Sequence, residues 1–130
     1  MSTARYWREI PHRYRLEASR CKQCGYIAYP HRLICPECQC REFVPITLKN
    51  TGTIETYTVI RVAPSQFVDQ VPYAVAIVKL DDGVALTCQV ADTDPSKLAI
   101  GKRVTLEFRR IQADGEAGVL AYGLKAVLQP

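Results

Sequence analysis

Histidine is scarce in this sequence. His12 and His31 are the only two in 130 residues, and neither sits in a catalytic motif. No Ser-His-acid or Cys-His arrangement can be read from them, which disfavours an enzyme built on an activated nucleophile or a general base. Long apolar runs are absent too, and none approaches the ~20 residues that span a bilayer. The N-terminal segment MSTARYWREIPHRYR has no apolar core and no small-residue cleavage site, so it does not read as a secretory signal. Internal repeats and low-complexity segments are also missing. The expectation is a cytoplasmic protein with no membrane association. In a reducing compartment its six cysteines are expected to bind metal rather than pair as disulfides.

What is present is ordinary in bulk and uneven in detail. Hydrophobic residues make up 48% and charged residues 23%, as in a soluble globular protein of one or two small domains. The formal charge is +4. Residues 1–49 hold nine Lys/Arg against four Asp/Glu, and residues 50–130 hold eight against nine. Four thiolates around a divalent metal would lower the total to about +2. The N-terminal third stays locally basic, which suits nucleic acid, a phosphorylated cofactor or an acidic protein surface.

Three segments follow one another. Residues 1–13 form a leader in which Ser2 or Thr3 can cap a helix and Tyr6, Trp7 and Ile10 share one side. Pro11 is expected to end or bend that helix. So short a helix is unstable alone and must dock on its own domain or on a partner. Residues 14–46 are cysteine-rich. Residues 47–130 alternate with a period of two, the signature of half-buried antiparallel strands. Ile54, Ile60 and Val62 share a face in 52–62, as do Val84, Leu86, Cys88 and Val90 in 84–90. Val104, Leu106 and Phe108 follow, then Leu120, Tyr122, Leu124, Ala126 and Leu128. Pro72–Leu80 is apolar on both sides and predicts a central strand. Asp82-Gly83 and Asp114-Gly115 are hairpin signals. Five strands with a short helical stretch (Pro95–Ile100) between the third and fourth match the order of an OB-type barrel.

The strongest motif is Cys21-Lys-Gln-Cys24-Gly25, ten further residues, then Cys35-Pro-Glu-Cys38. Each C-x-x-C makes a knuckle that turns two thiolates inward, and Gly25 suits the turn because it tolerates positive φ. Four sulfurs complete a tetrahedral site with no open position, which is structural rather than catalytic zinc chemistry. Iron competes, since four sulfurs also suit it. Metal binding would supply the folding energy that some thirty residues cannot obtain from a core. Cys40 and His31 read as bystanders, and Cys88 as a small core residue.

The aromatic leader Arg5-Tyr6-Trp7, the two knuckles, Gly52-Thr53-Ile54, Pro72-Tyr73 and Ile100-Gly101 occur in an order that resembles a known family over nearly the whole chain. This is the thiolase-associated zinc-ribbon and OB-fold family, long carried as a domain of unknown function. Gln39-Cys40 departs from it at the glycine-like position after the second knuckle. The resemblance implies a mainly β fold: a short N-terminal helix and a rubredoxin-like zinc ribbon, followed by a five-stranded OB-fold barrel. It implies a non-catalytic partner of acyl-CoA enzymes. Archaeal members act as a scaffold between acetoacetyl-CoA thiolase and hydroxymethylglutaryl-CoA synthase in the mevalonate route, where acetoacetyl-CoA passes between active sites.

The expected function is therefore a scaffold or acyl-CoA-binding accessory protein, with zinc as cofactor and CoA or acyl-CoA as bound ligand. The alternative is a nucleic-acid-binding ribbon and barrel, but single-strand binders need stacking platforms on a basic groove. The barrel half is slightly acidic, and of its aromatics Tyr57, Phe67, Tyr73, Phe108 and Tyr122, alternation assigns Phe108 and Tyr122 to the core. No catalytic residue is expected. The metal ligands are Cys21, Cys24, Cys35 and Cys38. Contacts to partners or CoA are expected from Arg5, Tyr6, Trp7, Arg8, Lys22 and Arg32, and from exposed Phe67 and Val68 in the loop Pro64–Pro72.

Overall fold

The computed structural model describes residues 3–113 and 120–129, with the side chains of Thr3, Arg5, Tyr6, Gln112 and Ala113 left out. Ser2 and the Asp114-Gly115 turn lie outside the described residues. The chain divides into two units, Met1–Lys49 and Asn50–Pro130.

The first unit opens with helix α1 (Thr3–Tyr14). Pro11 does not end it. The helix runs one turn further, and the Arg15 N–H donates to the Pro11 carbonyl at 3.2 Å. A proline inside a helix removes the hydrogen bond to the residue four back and crowds that residue's carbonyl. That residue is Trp7, which is itself 75% exposed. The chain turns at Leu16, and Glu17 then anchors the helix end, accepting from His12 (2.8 Å) and Arg15 (3.1 Å). These two partners, His12 first, hold the Glu17 carboxyl below its ordinary range. Strand β1 (Glu17–Cys21) is the centre of an antiparallel sheet, between β2 (Ile27–Ala28) and β3 (Phe43–Thr47). The core of this unit is small: Leu16, Ala18, Cys21, Ala28, Cys35 and Leu48 are its buried apolar residues.

The second unit is a closed five-stranded barrel. Its strands are β4 (Thr51–Ile60), β5 (Tyr73–Leu80), β6 (Ala85–Val90), β7 (Arg103–Ala113) and β8 (Leu120–Leu128). Their order round the barrel is β4-β5-β6-β8-β7, with β4 pairing again with β7. Among the described residues only β6 and β8 run parallel, paired at Val90 and Ala126. This is the OB arrangement the alternation predicted. β5 is central, flanked by β4 and β6. The Asp82-Gly83 turn connects β5 to β6, with Gly83 at φ 91° and its N–H donating to Leu80 O. The helical stretch is shorter than expected, a 3-10 turn over Pro95–Lys97 capped by the Asp94 side chain on Ser96 N–H.

Ile54, Ala74, Ala76, Val78, Leu80, Val104, Leu106 and Ala126 fill the barrel, with Cys88 among them. Val62, Phe108 and Leu120, which alternation assigned to this face, lie outside the core. Val62 is exposed, because β4 stops at Ile60. Phe108 is half-exposed and stacks on Tyr122 with ring centres 5.2 Å apart. Tyr122 is partly covered rather than buried. Both rings lie where the paired strands β7 and β8 run past the barrel's filled section.

Candidate metal centre and contact surfaces

The two knuckles are built alike. In the first, Gly25 N–H donates to Cys21 O (3.1 Å) and Cys21 N–H to Tyr26 O (2.8 Å). In the second, Gln39 N–H donates to Cys35 O (2.9 Å) and Cys35 N–H to Cys40 O (2.9 Å). The residue after each second cysteine takes positive φ, 78° at Gly25 and 64° at Gln39. The glycine-like position is thus kept geometrically although glutamine occupies it. Backbone N–H groups also point at sulfur in matching places: Gln23 and Cys24 at Cys21, Glu37 and Cys38 at Cys35, Tyr26 at Cys24, and Cys40 at Cys38. Such donors spread thiolate charge into the backbone.

The four sulfurs of Cys21, Cys24, Cys35 and Cys38 lie within 4.8 Å of one another. Cys21 Sγ is 3.4 Å from Cys38 Sγ, and Cys24 Sγ 3.4 Å from Cys35 Sγ. A zinc with bonds of about 2.3 Å to four tetrahedral sulfurs would set them roughly 3.8 Å apart. The donor set therefore fits a tetrahedral ion. The thiols do not behave as four independent groups. The Cys24 N–H leads in holding Cys21 down to about 6. At Cys38 the Cys40 N–H acts downward, yet burial and the sulfurs of Cys21, Cys24 and Cys35 push the thiol up to about 12. Crowded thiolates of this kind call for a cation.

The bystander cysteines stand apart. Cys40 Sγ turns to the backbone of Glu42, accepting its N–H at 3.3 Å. Cys88 is buried in the barrel, and burial pushes its thiol up to about 11. His31 hydrogen-bonds through Nδ1 to the Ser19 hydroxyl and packs edge-on against Phe43. Although this pair is half of a serine-histidine device, Ser19 is buried and presents no hydroxyl to a substrate.

The expected contact residues fall in two groups, one in each unit. Arg5 and Tyr6 lie in α1, their side chains outside the described part. Trp7 is 75% exposed, and Arg8 is exposed with Nε donating to Ala4 O. Lys22 is exposed and faces Glu42 at 3.9 Å, and Arg32 is exposed. Beside Arg32, Leu33 (80%) and Ile34 (47%), which no sequence motif singles out, add exposed apolar surface. In the second unit the loop 64–72 contains a 3-10 turn, Ser65–Gln70. Val68 is exposed as expected, but Phe67 is only partly so, because its ring leans on Tyr73 at 5.9 Å. Tyr57 is occupied as well, its hydroxyl donating to Leu98 O at 3.1 Å. Tyr57 and Tyr73 are thus engaged, whereas Phe108 and Tyr122, assigned to the core by alternation, are not buried. Arg109, Arg110 and Lys125, none of them singled out by sequence pattern, line one pocket in this unit.

A helix, a four-cysteine ribbon and a closed OB barrel together define a two-part metal-ribbon and barrel protein. Two family descriptions match in tandem: the ChsH2 rubredoxin-like zinc ribbon domain over residues 8–44 and the ChsH2 C-terminal OB-fold domain over 46–109. The chain is 43% identical over 124 residues to a DUF35 domain-containing scaffold protein of Methanothermobacter thermautotrophicus, covering 95% of this chain and 93% of that one. It is 45% identical over 122 residues to one from Methanocaldococcus jannaschii, covering 93% and 86%. A solved structure titled Ltp2-ChsH2(DUF35) aldolase superposes with a TM-score of 0.72 at 26% identity, covering 100% of this chain and 96% of that one. This chain belongs to the DUF35 zinc-ribbon and OB-fold family, whose archaeal relatives are scaffold proteins. Among the described residues no helix is long and apolar enough to cross a membrane.

Proposed function

We propose that the chain is a non-catalytic scaffold that associates with acetoacetyl-CoA thiolase and hydroxymethylglutaryl-CoA synthase and helps acetoacetyl-CoA pass between them in the mevalonate pathway. One observation carries this reading: the nearly full-length match to scaffold proteins of the same family. Cys21, Cys24, Cys35 and Cys38 hold one zinc, which fixes the ribbon and leaves no coordination position for a substrate. The two histidines support an accessory role, since His12 is paired with Glu17 and His31 with a buried serine. Exposed Trp7, Leu33 and Ile34 with Arg8, Lys22 and Arg32 give the first unit the apolar and basic composition of a docking surface. The 64–72 loop, with Phe67 and Val68, serves the CoA side.

The test is reconstitution. Purified chain, thiolase and synthase are mixed and resolved by size-exclusion chromatography, with the chain expected to elute in a joint complex. If neither enzyme shifts its elution, the scaffold reading is wrong. Elemental analysis of the same preparation should find about one zinc per chain. Cys24→Ser should lose the metal and unfold the ribbon, whereas Cys40→Ser should keep it. Metal loss in the Cys40 variant would mean a different ligand set.

A further inference from the structure

The outward face of strands β4, β5 and β6 carries no charge over three successive rows. Cross-strand partners share a face of a sheet, so the register fixes these rows. Thr56, Ile77 and Thr87 form one, and Thr58, Val75 and Gln89 the next. Ile60 and Tyr73 form the third. The alternate rows point into the barrel, where Ala74, Ala76, Cys88 and Val90 are buried. Glu55 sits in the bulge between Ile54 and Thr56, outside the paired rows. Along β5 the first charge on this face is Lys79, opposite Thr53 and Ala85. Charged residues make up 23% of the chain, and their depletion from a surface marks the centre of protein interfaces. An apolar stripe runs down β5, with Tyr73 and Val75 partly covered and Ile77 37% exposed. The three threonines that flank it are exposed.

One polar atom in this face is unsatisfied. Gln89 Oε1 is shielded from solvent and has no hydrogen-bond partner among the described residues. The residue as a whole is partly exposed, so rotation about its side-chain bonds turns the oxygen outward. A buried acceptor left alone is costly, and a donor that reaches it removes the cost. This chemistry fits a narrow kind of occupant. No cation lies in the three rows to bind a phosphate, and a charged partner residue would lose its water here without gaining a counter-ion. We propose that the rows of Thr58 and Ile77 dock an uncharged, largely apolar strip of a partner protein, which donates a hydrogen bond to Gln89. A scaffold for two enzymes needs a surface for each, and the apolar and basic surface of the first unit is chemically unlike this one. The occupant is therefore the second enzyme. This assignment rests on the scaffold reading above, with thiolase held by the first unit and the synthase by the barrel face.

The test is titration calorimetry of the full zinc-loaded chain with each purified enzyme in turn. Ile77→Glu and Ile77→Lys should both weaken the synthase by about tenfold or more, since either sign buries an uncompensated charge. Gln89→Met keeps the side-chain length and removes the acceptor, and should weaken the synthase by about two- to tenfold, as losing one hydrogen bond does. Ile77→Val should stay near the parent. All four variants should keep the parental affinity for thiolase and the parental melting temperature. Parental synthase affinity in both charged variants overturns the proposal and leaves the scaffold reading intact. A gain of affinity with either sign also overturns it, because the partner surface would then be charged, and so does loss of thiolase in place of the synthase. If Ile77→Glu disperses a dimer of the chain while synthase binding persists, a second copy occupies the face and the proposal is wrong. If the parent chain binds neither enzyme, the scaffold reading fails and the docking assignment falls with it.

Discussion

Gln39 is the residue at which the two knuckles differ, and the backbone there is the same as at Gly25. A non-glycine side chain in the left-handed region costs roughly 1–2 kcal/mol, while glycine adds about 0.5–1 kcal/mol of chain entropy. Gln39→Gly should therefore stabilise the zinc-loaded ribbon by up to about 1 kcal/mol. Thermal unfolding and resistance to a chelator both measure it, and a β-branched residue such as Gln39→Val should act in the opposite sense. Cys88 offers a second check at this scale. Its thiol lies at about 11 in the fold against 9.0 unperturbed. The native state therefore holds its proton while the unfolded chain releases it, and between those two values stability should fall as pH rises. Replacing Cys88 with alanine should flatten that part of the stability profile. At pH 8 an alkylating reagent should label Cys40, which is partly exposed, long before Cys88.

At the scale of elements, the barrel closes where β4 leaves one neighbour for another. Gly52 pairs with Leu80 on β5 and with Val104 on β7. A β-carbon there would lie 2.6 Å from Lys79 O and 2.9 Å from a Val78 methyl, so the backbone would have to move. Gly52→Ala should cost about 1–3 kcal/mol of barrel stability, as overpacking of a tight site does. Chemical denaturation would show it, and parental stability would mean that the strands can spread apart. Much of this element layout was legible beforehand. Strand faces follow from alternation, and the ligand set from two knuckles that offer four sulfurs with nothing missing. What alternation does not carry is where a face stops being covered. Val62 and Phe108 continue the apolar period of their strands, but the covered section of the barrel ends before them. Pro11 was expected to end or bend the helix, and the helix does not end there but runs on to Tyr14. The Arg109, Arg110 and Lys125 pocket was illegible for another reason: its walls come from four separate segments, and no single stretch bears its signature.

At the scale of the whole molecule, the question is what the first unit does with an exposed tryptophan. The two units each bury their own apolar residues, and Trp7 belongs to neither set. It lies on a helix of twelve residues whose end is tied down by the His12 and Arg15 contacts to Glu17. The helix thus has a local anchor that does not involve the indole, which leaves that ring available to a partner. A large aromatic amid arginines is the composition found at the energetic centre of interfaces. Trp7→Ala should weaken association with thiolase by about 2 kcal/mol or more. Thermal stability of the isolated chain should hardly change, because an exposed side chain contributes little to folding. Titration calorimetry with thiolase and a melting curve of the free chain give the two quantities. A sharp fall in melting temperature with association intact would place the indole against its own chain, and the helix would then be an internal brace rather than a clasp.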